Sequence, residues 1–327
     1  MLRVNVIGKS NGAGLTRDLR ILAEALSACG CQVTTTIAGS RQSRQRKSYW
    51  RKLVRSLGLA ATAKRQPSYD VNVMLEHIWV QFADCARINV VVPNPEFFDR
   101  HDVAALPLVD KVWAKTSIAR SIFAQLGCSV TLIGFDSEDR KDEHCAPEKI
   151  FLQLAGSSSL KGTTRLLEVW SRHPEWPELL VVGKAGATGL QAANIRICAG
   201  YLADDEVKRL QNRCAVHICT SETEGWGHYL VEALGVGALV ITLDAPPMNE
   251  LVTRDRGWLL SCRASRHQGL AQRYLFDEAA LVSAVEQINE MPEQAVRAVG
   301  ARARSWFLDN KKNFNGRISR AVHELRV

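Results

Sequence analysis

The feature that most constrains this chain is a repeated alternation of short β-rich runs with amphipathic stretches of helical period. In the first part the predicted strands are 2–8, 31–37, 69–75, 87–93 and 129–135, and the predicted helices are 15–30 and 117–126. In the second part the predicted strands are 150–156, 179–183, 195–200, 216–221, 239–244 and 257–261, and the predicted helices are 163–172, 204–213, 228–235, 277–291 and 293–326. Parallel strands joined by crossover helices produce this pattern. The sequence therefore predicts an α/β fold.

A charged stretch divides the alternation into two parts. Residues 136–149 read DSEDRKDEHCAPEK, carry charges of both signs and show no apolar period. A chain of 327 residues also exceeds what one hydrophobic core usually serves. We therefore predict two Rossmann-like domains, 1–138 and 150–305, joined by a linker at 139–149. Ligands of such sheets bind at the carboxyl ends of the strands.

Composition and the first residues indicate the compartment. No apolar run approaches the roughly 18–20 residues that a membrane span needs, and the opening MLRVNVIGKS lacks the apolar core of a signal peptide. The nine cysteines form no C-x-x-C pair, so we interpret them as reduced core residues. A cytoplasmic protein is expected.

The segment 41–65 is basic: it has nine Lys or Arg and no Asp or Glu. Within it, Trp50, Leu53, Val54 and Leu57 fall on one helical stripe, which is typical of a helix lying on an anionic membrane surface. The alternative is an ordinary helix of the N-terminal domain with its stripe buried. Nucleic acid is not the expected partner, because aromatic residues are not interleaved with the basic ones.

The stretch 221–251, SETEGWGHYLVEALGVGALVITLDAPPMNEL, carries the main candidate site. It follows a predicted strand and opens a helix near His228 with Gly225 and Gly227, which let the backbone approach a ligand. A helix start favours phosphate, and the carboxylates of Glu224 and Glu232 can accept hydrogen bonds from sugar and ribose hydroxyls. Phosphate, sugar and ribose together describe a nucleotide sugar.

Glu224-x7-Glu232, the Gly-Trp-Gly between the two glutamates and the following EALGVGALVIT resemble the signature of the retaining family 4 glycosyltransferases of the GT-B fold. The resemblance covers 150–261, including VVGKAG, AGYLADDEVKRL and CTSETEGWG, and is thinner in the N-terminal half, where GAGLTRDLRILAEALSACGCQV matches. It implies two Rossmann-like domains with donor and acceptor in the cleft between them. It also implies a C-terminal helix, 306–327, that returns to the N-terminal domain.

The resemblance also implies residue roles on the donor side. Glu224 would bind hydroxyls of the donor sugar, Glu232 would bind the ribose, and Lys161 would neutralise the diphosphate. The other implied donor-binding positions are Gly14, Tyr201, Leu202, Gly225, Trp226, Gly227 and His228. The family usually has an arginine where this chain has Ser157, so one positive charge is missing, and Arg17 or Lys184 could replace it.

On the acceptor side, the candidates are polar side chains near the strand ends of the N-terminal domain: Arg17, His77, Asn94 and Glu96. The acceptor implied by the resemblance is a saccharide or a lipid-linked intermediate of bacterial surface glycan synthesis. The implied reaction is hexose transfer with retention, without a cofactor or a metal. The alternatives are a nucleotide-sugar epimerase or phosphorylase of the same fold, and a non-catalytic nucleotide-sugar-binding protein.

Overall fold

A computed structural model of the protein describes residues 1–12, 14–39, 67–183, 192–200 and 202–325. These residues form two compact units, one of 1–135 with 313–327 and the other of 136–312. The limits predicted from the sequence were 138 and 306. The basic segment 41–65, Lys184 and Tyr201 lie outside the described residues.

The N-terminal unit contains a six-stranded parallel sheet with the strand order β2-β1-β3-β4-β5-β6. Its elements are β1 (Arg3–Gly8), α1 (Gly14–Ala28), β2 (Gln32–Ile37), β3 (Tyr69–Glu76), β4 (Ala86–Pro93), α2 (Arg100–Ala105), β5 (Lys111–Ala114), α3 (Ser117–Gln125) and β6 (Val130–Leu132). The central strand β3 is buried from Val71 onward, and α1 buries Leu19, Leu22 and Leu26. Apolar runs of this kind suit strands that are covered on both faces.

The second unit contains another six-stranded parallel sheet, with the order β12-β11-β10-β7-β8-β9. Its elements are β7 (Glu148–Gly156), α4 (Thr163–Ser171), β8 (Leu179–Gly183), β9 (Ile195–Cys198), α5 (Asp204–Arg213), β10 (Cys214–Cys219), α6 (His228–Val236), β11 (Leu239–Leu243), α7 (Met248–Leu251), β12 (Gly257–Leu260), β13 (Cys262–Gln268), β14 (Ala271–Phe276), α8 (Glu278–Glu290) and α9 (Glu293–Glu324). The last residues of α9 are counted with the N-terminal unit. The two parallel sheets confirm the α/β prediction.

Several elements differ from the sequence-based prediction. The strand β7 begins at Glu148, inside the stretch interpreted as a linker, and β5 was not predicted. The strands β13 and β14 form a separate antiparallel hairpin that was also missed. Its first strand is exposed over most of its length, so it shows no alternation of apolar and polar residues.

All nine cysteines are free. Among the described residues, no helix combines the length and the apolar character that crossing a membrane requires.

Candidate active site

An ion pair between Lys161 and Glu224 lies at the carboxyl edge of the second sheet. Lys161 ends a short 3-10 turn (Ser159–Lys161) after β7, and Glu224 lies in the loop between β10 and α6. The Lys161 Nζ atom is 2.5 Å from Glu224 Oε1, and the side chains are 18% and 15% exposed. The two loops therefore place opposite charges in contact where parallel sheets bind ligands.

Two further side chains hold this ion pair. Ser221 Oγ donates to Glu224 Oε1 at 2.6 Å and lies 2.5 Å from the Tyr229 hydroxyl. The Lys161 ammonium lies 3.5 Å from the centroid of the Tyr229 ring, within cation–π range. Burial raises the pKa of Tyr229 well above its ordinary value, so this phenol stays protonated. Sequence reasoning missed Ser221 and Tyr229, although both lie inside the motif.

The start of α6 adds a binding surface for an anion. Gly227 precedes the helix with φ +84°, a left-handed conformation that glycine adopts without strain, and His228 is the first helical residue. Amides in the first turn of an α-helix have no partner within the helix, and the helix dipole makes this end positive. The Gly-Trp-Gly element therefore turns the chain so that α6 begins beside Glu224.

Trp226 lies in the interior, and its indole N–H has a protein partner. The side chain is 5% exposed, and Nε1 donates to Ser137 Oγ at 3.1 Å. The same hydroxyl lies 2.8 Å from His228 Nδ1. The structure therefore gives Trp226 a packing role in the loop. Its predicted contact with the donor stays a prediction.

Glu232 faces a buried polar network. It is 2% exposed, accepts a hydrogen bond from Gln211 Nε2 at 3.0 Å and lies 3.9 Å from Arg140 Nε. Arg140 is itself buried, donates to Gln211 Oε1 and pairs with Asp204 at the start of α5. Arg140 lies in the stretch that was interpreted as a linker, so the sequence analysis missed its contact with Glu232. The ribose-binding role of Glu232 stays a prediction.

The remaining donor-side candidates are dispersed. Leu202 packs on a cluster formed by Leu152, Leu180, Val182 and Cys214, and its predicted contact with the donor stays a prediction. Ser157, which replaces the expected arginine, is exposed in the loop after β7. In the N-terminal unit, Gly14 is the first residue of α1, and Arg17 lies in the first turn of the same helix.

A hairpin contact holds the loop that contains Glu224. Arg273, on β14, donates from Nε to Glu222 Oε2 at 2.6 Å and makes a second contact to the same oxygen from its Nη2. The backbone N–H of Tyr274 also donates to the Glu222 carbonyl at 2.8 Å. The unpredicted hairpin therefore has a specific place: it supports the segment just before Glu224.

In the N-terminal unit, the predicted acceptor-side residues lie among buried charges. His77 Nδ1 is 2.8 Å from Asp102 Oδ2, and His77 Nε2 is 3.4 Å from Glu76 Oε2. Glu76 ends β3 with φ +65°, a conformation that is rare for a residue other than glycine. His77 therefore lies between two carboxylates, Glu76 and Asp102, that the sequence analysis had not named as candidates.

Asn94 contacts a buried lysine, Lys115, at the same carboxyl edge of the sheet. Its Oδ1 accepts from Lys115 Nζ at 3.1 Å, and Lys115 also pairs with Asp18 of α1 at 2.5 Å. Glu96, in the 3-10 turn after β4, is 5% exposed. Sequence reasoning missed Lys115 and Asp18, because a lone lysine after a strand carries no signal by itself. The acceptor roles of Arg17, His77, Asn94 and Glu96 stay predictions.

Two aspartates near the start of the second unit have pKa values that are shifted in opposite directions. Burial raises the pKa of Asp136 above its ordinary 3.8, against the opposing effect of Lys311. Burial acts on Asp139 in the same way, but hydrogen bonds from Arg304 and from the Lys141 backbone lower its pKa below 3.8 overall. The ionised form is therefore disfavoured at Asp136 and favoured at Asp139.

We expect Asp136→Asn to raise the melting temperature at pH 7 by a few degrees, because it removes a charge that burial penalises. At low pH the Asp136 carboxyl of the wild type is itself protonated, so it no longer carries a buried charge. The gain in melting temperature from Asp136→Asn therefore disappears as the pH falls below about 4. Asp139→Asn is the matched control, and we expect it to lower the melting temperature at pH 7. The decrease should be modest, because the ion pair between Asp139 and Arg304 is partly exposed. This effect also disappears in acid, where Asp139 is protonated. Scanning calorimetry from pH 3.5 to 8 measures both. Shifts of the same sign at pH 7 would contradict the assignment.

A comparison with known protein families identifies the second unit. Residues 134–294 match the profile of the family described as glycosyl transferases group 1. The second unit is a glycosyl transferases group 1 domain. This match contains Lys161, Glu224 and Glu232, so the resemblance noted from the two-glutamate motif is confirmed at the level of the family.

Solved structures show that the whole chain shares the fold of GT-B glycosyltransferases. The chain is similar to HepE of Anabaena in complex with UDP and glucose, with a TM-score of 0.68, 14% identity, and coverage of 99% of this chain and 100% of that one. It is also similar to a sucrose-phosphate synthase from Thermosynechococcus elongatus, with a TM-score of 0.72, 14% identity and 99% coverage of both chains. The lipopolysaccharide outer core galactosyltransferase WaaB aligns with a TM-score of 0.61, 14% identity, and coverage of 97% of this chain and 99% of that one.

No curated protein matches the sequence. Each unit has its own six-stranded parallel sheet, and the group 1 match covers most of the second unit, so the prediction of two Rossmann-like domains is confirmed.

Proposed function

We propose that the protein is a retaining glycosyltransferase that moves a hexose from a nucleoside diphosphate sugar to a saccharide or lipid-linked acceptor. The observation that carries the proposal is the contact of Lys161 with Glu224 beside the start of α6. This arrangement supplies one cation and helix-start amides for a diphosphate, and one carboxylate for sugar hydroxyls. The group 1 family match supports the reaction class.

The chemistry follows from where charge develops. When the bond between the sugar C1 and the diphosphate oxygen breaks, negative charge builds on the phosphates. Lys161 and the α6 amides are preorganised to stabilise that charge. The acceptor hydroxyl oxygen bonds to C1 on the same face, and its proton passes to an oxygen of the leaving diphosphate. In this mechanism no protein nucleophile forms a bond to the sugar.

Relatives support the substrate class. HepE binds UDP and glucose, which favours a UDP-hexose as the donor here. WaaB is a lipopolysaccharide outer core galactosyltransferase, which favours a surface glycan acceptor for this chain. Membrane contact through 41–65, a cytoplasmic location and metal independence remain predictions. Among the described residues, no group of three or more His, Cys, Asp or Glu is arranged to hold a metal ion.

The first experiment screens UDP-, GDP-, ADP- and dTDP-sugars for thermal stabilisation, because a bound ligand raises the melting temperature by mass action. The best donor is then incubated with candidate acceptors in excess chelator, and the anomeric configuration of the product is read by NMR. We expect transfer with retention at the same rate with and without chelator. Inverted product would refute retention, and a rate restored only by manganese would refute metal independence. An epimerised donor without transfer would favour the epimerase alternative.

A further inference from the structure

A buried serine connects two residues of the glycine loop. Ser137 is 1% exposed, and its Oγ lies 3.1 Å from Trp226 Nε1 and 2.8 Å from His228 Nδ1. Trp226 belongs to the Gly-Trp-Gly element and His228 is the first residue of α6. One hydroxyl, from a residue far away in the sequence, therefore contacts both sides of the turn at which α6 begins.

Counting protons fixes the direction of these hydrogen bonds. The indole N–H can only donate, so Ser137 Oγ accepts from Trp226. The serine hydrogen then needs an acceptor, because buried hydroxyls are nearly always paired. Within the described part of the chain, the other partner of this hydroxyl is His228 Nδ1. The imidazole therefore accepts at Nδ1, and a neutral ring that accepts at Nδ1 carries its proton on Nε2.

We propose that Ser137 is a positioning residue that fixes the His228 ring in the form with hydrogen on Nε2. The ring then offers a hydrogen-bond donor to the phosphates of a nucleoside diphosphate bound at the start of α6. With the opposite tautomer, Nε2 would present a lone pair, which repels phosphate oxygens. Trp226 is part of the device, because its N–H leaves the serine only one way to orient its own hydrogen. The contact with a nucleoside diphosphate rests on the proposed function. The tautomer of His228 does not, because it follows from the contacts of Ser137 alone.

The tautomer can be measured without any ligand. Protein labelled with 15N-histidine gives long-range proton–nitrogen correlations that distinguish the nitrogen bearing hydrogen from the bare one. The chain has eight histidines, and the His228→Gln spectrum identifies the signals of interest. At pH 8, we expect His228 to show a protonated Nε2 and a bare Nδ1.

Three variants test the role of the serine. Ser137→Ala removes the hydrogen donated to Nδ1, so we expect a mixture of tautomers, whereas Ser137→Thr keeps a hydroxyl and should keep the wild-type signature. Trp226→Phe keeps the serine but frees its hydroxyl to rotate, so this variant should also give a mixture. A purely structural role for Ser137 would not change the tautomer in a variant that is still folded.

The second readout is affinity for the nucleoside diphosphate that stabilises the wild-type protein most. We expect Ser137→Ala to weaken its binding by about two- to tenfold, the range for one net hydrogen bond, and Ser137→Thr to restore it. Hydrogen on Nδ1 in the wild type, an unchanged tautomer in Ser137→Ala, or unchanged affinity would overturn the proposal. If the wild type binds no nucleoside diphosphate, the proposed function and the phosphate contact both fail, while the NMR result still decides the tautomer.

Discussion

We expect that replacing Lys161 by Met or Glu224 by Gln lowers glycosyl transfer by roughly 100- to 1000-fold, the scale on which a single preorganised electrostatic group acts. The structure gives each residue a different reason. Lys161 is the cation after the carboxyl end of β7, and in the proposed mechanism the loss of its charge removes the main positive charge that faces the departing diphosphate. In Glu224→Gln the proposed site loses its charged acceptor for sugar hydroxyls, because a neutral amide accepts weaker hydrogen bonds than a carboxylate.

The two variants differ in which part of the donor they affect. We expect Lys161→Met to weaken binding of the free nucleoside diphosphate as well as of the nucleotide sugar. Glu224→Gln should leave the nucleoside diphosphate affinity within about threefold of wild type, because the carboxylate is proposed to contact the sugar and not the diphosphate. Calorimetric titration of both ligands into both variants measures this split. Equal losses for the two ligands in both variants would show that the residues act as one structural unit.

A stability control accompanies these assays. Lys161 and Glu224 are only partly buried, and Ser221 and Tyr229 remain to contact whichever partner is left. Breaking the pair should therefore cost roughly 1–2 kcal/mol, less than for a fully buried pair. Gln211→Ala is a matched comparison, because it disturbs the neighbouring network around Glu232 without removing a charge. A variant of Lys161 or Glu224 that transferred at the wild-type rate would refute the site.

The second large effect is on stability and comes from one glycine in α9. A Cβ atom on Gly300 would lie 1.9 Å from the Gly237 carbonyl oxygen and 2.8 Å from its carbonyl carbon. Gly237 ends α6 in a left-handed conformation, with φ +78°. Since both clashes involve backbone, neither can be relieved by rotating a side chain. We expect Gly300→Ala to lower the free energy of unfolding by about 3 kcal/mol.

The consequence reaches the site, because α6 carries His228 at one end and the contact with Gly300 at the other. The variant should therefore lose activity together with stability. Gly316→Ala, in the same helix, is the control: a Cβ there meets nothing within 4 Å, so alanine should stabilise the protein by up to about 1 kcal/mol. Urea unfolding measures both variants. A Gly300→Ala protein as stable as wild type would contradict the close helix contact.

Most of the fold could be predicted from the sequence because parallel strands and their crossover helices are long apolar patterns. The limits of α4, α5 and β8 follow the predicted ranges closely, since each begins or ends at a polar or glycine residue. The hairpin β13–β14 was missed because its first strand is exposed and shows no apolar alternation. It is held instead by a tertiary contact between Arg273 and Glu222, which no local pattern reveals.

The candidate site divides in the same way. Lys161 and Glu224 could be found because a sequence motif and the strand-end rule both point to them, and the structure places them in contact. Ser137, Arg140 and Lys115 could not, because each acts through a partner distant in sequence. Arg140 was also concealed by its charged neighbours, which resemble a linker although this side chain is buried against Gln211. A buried charge with a distant partner is visible only in the folded chain.

The most direct measurement is a crystal structure of the protein with a nucleotide sugar and without an acceptor. We expect the sugar hydroxyls to contact the Glu224 carboxylate and the diphosphate to lie against Lys161 and the first turn of α6. The direct contact between Lys161 and Glu224 should open as the ligand inserts its own charges. A nucleotide sugar bound elsewhere, with Lys161 and Glu224 still in contact, would show that this is not the donor site.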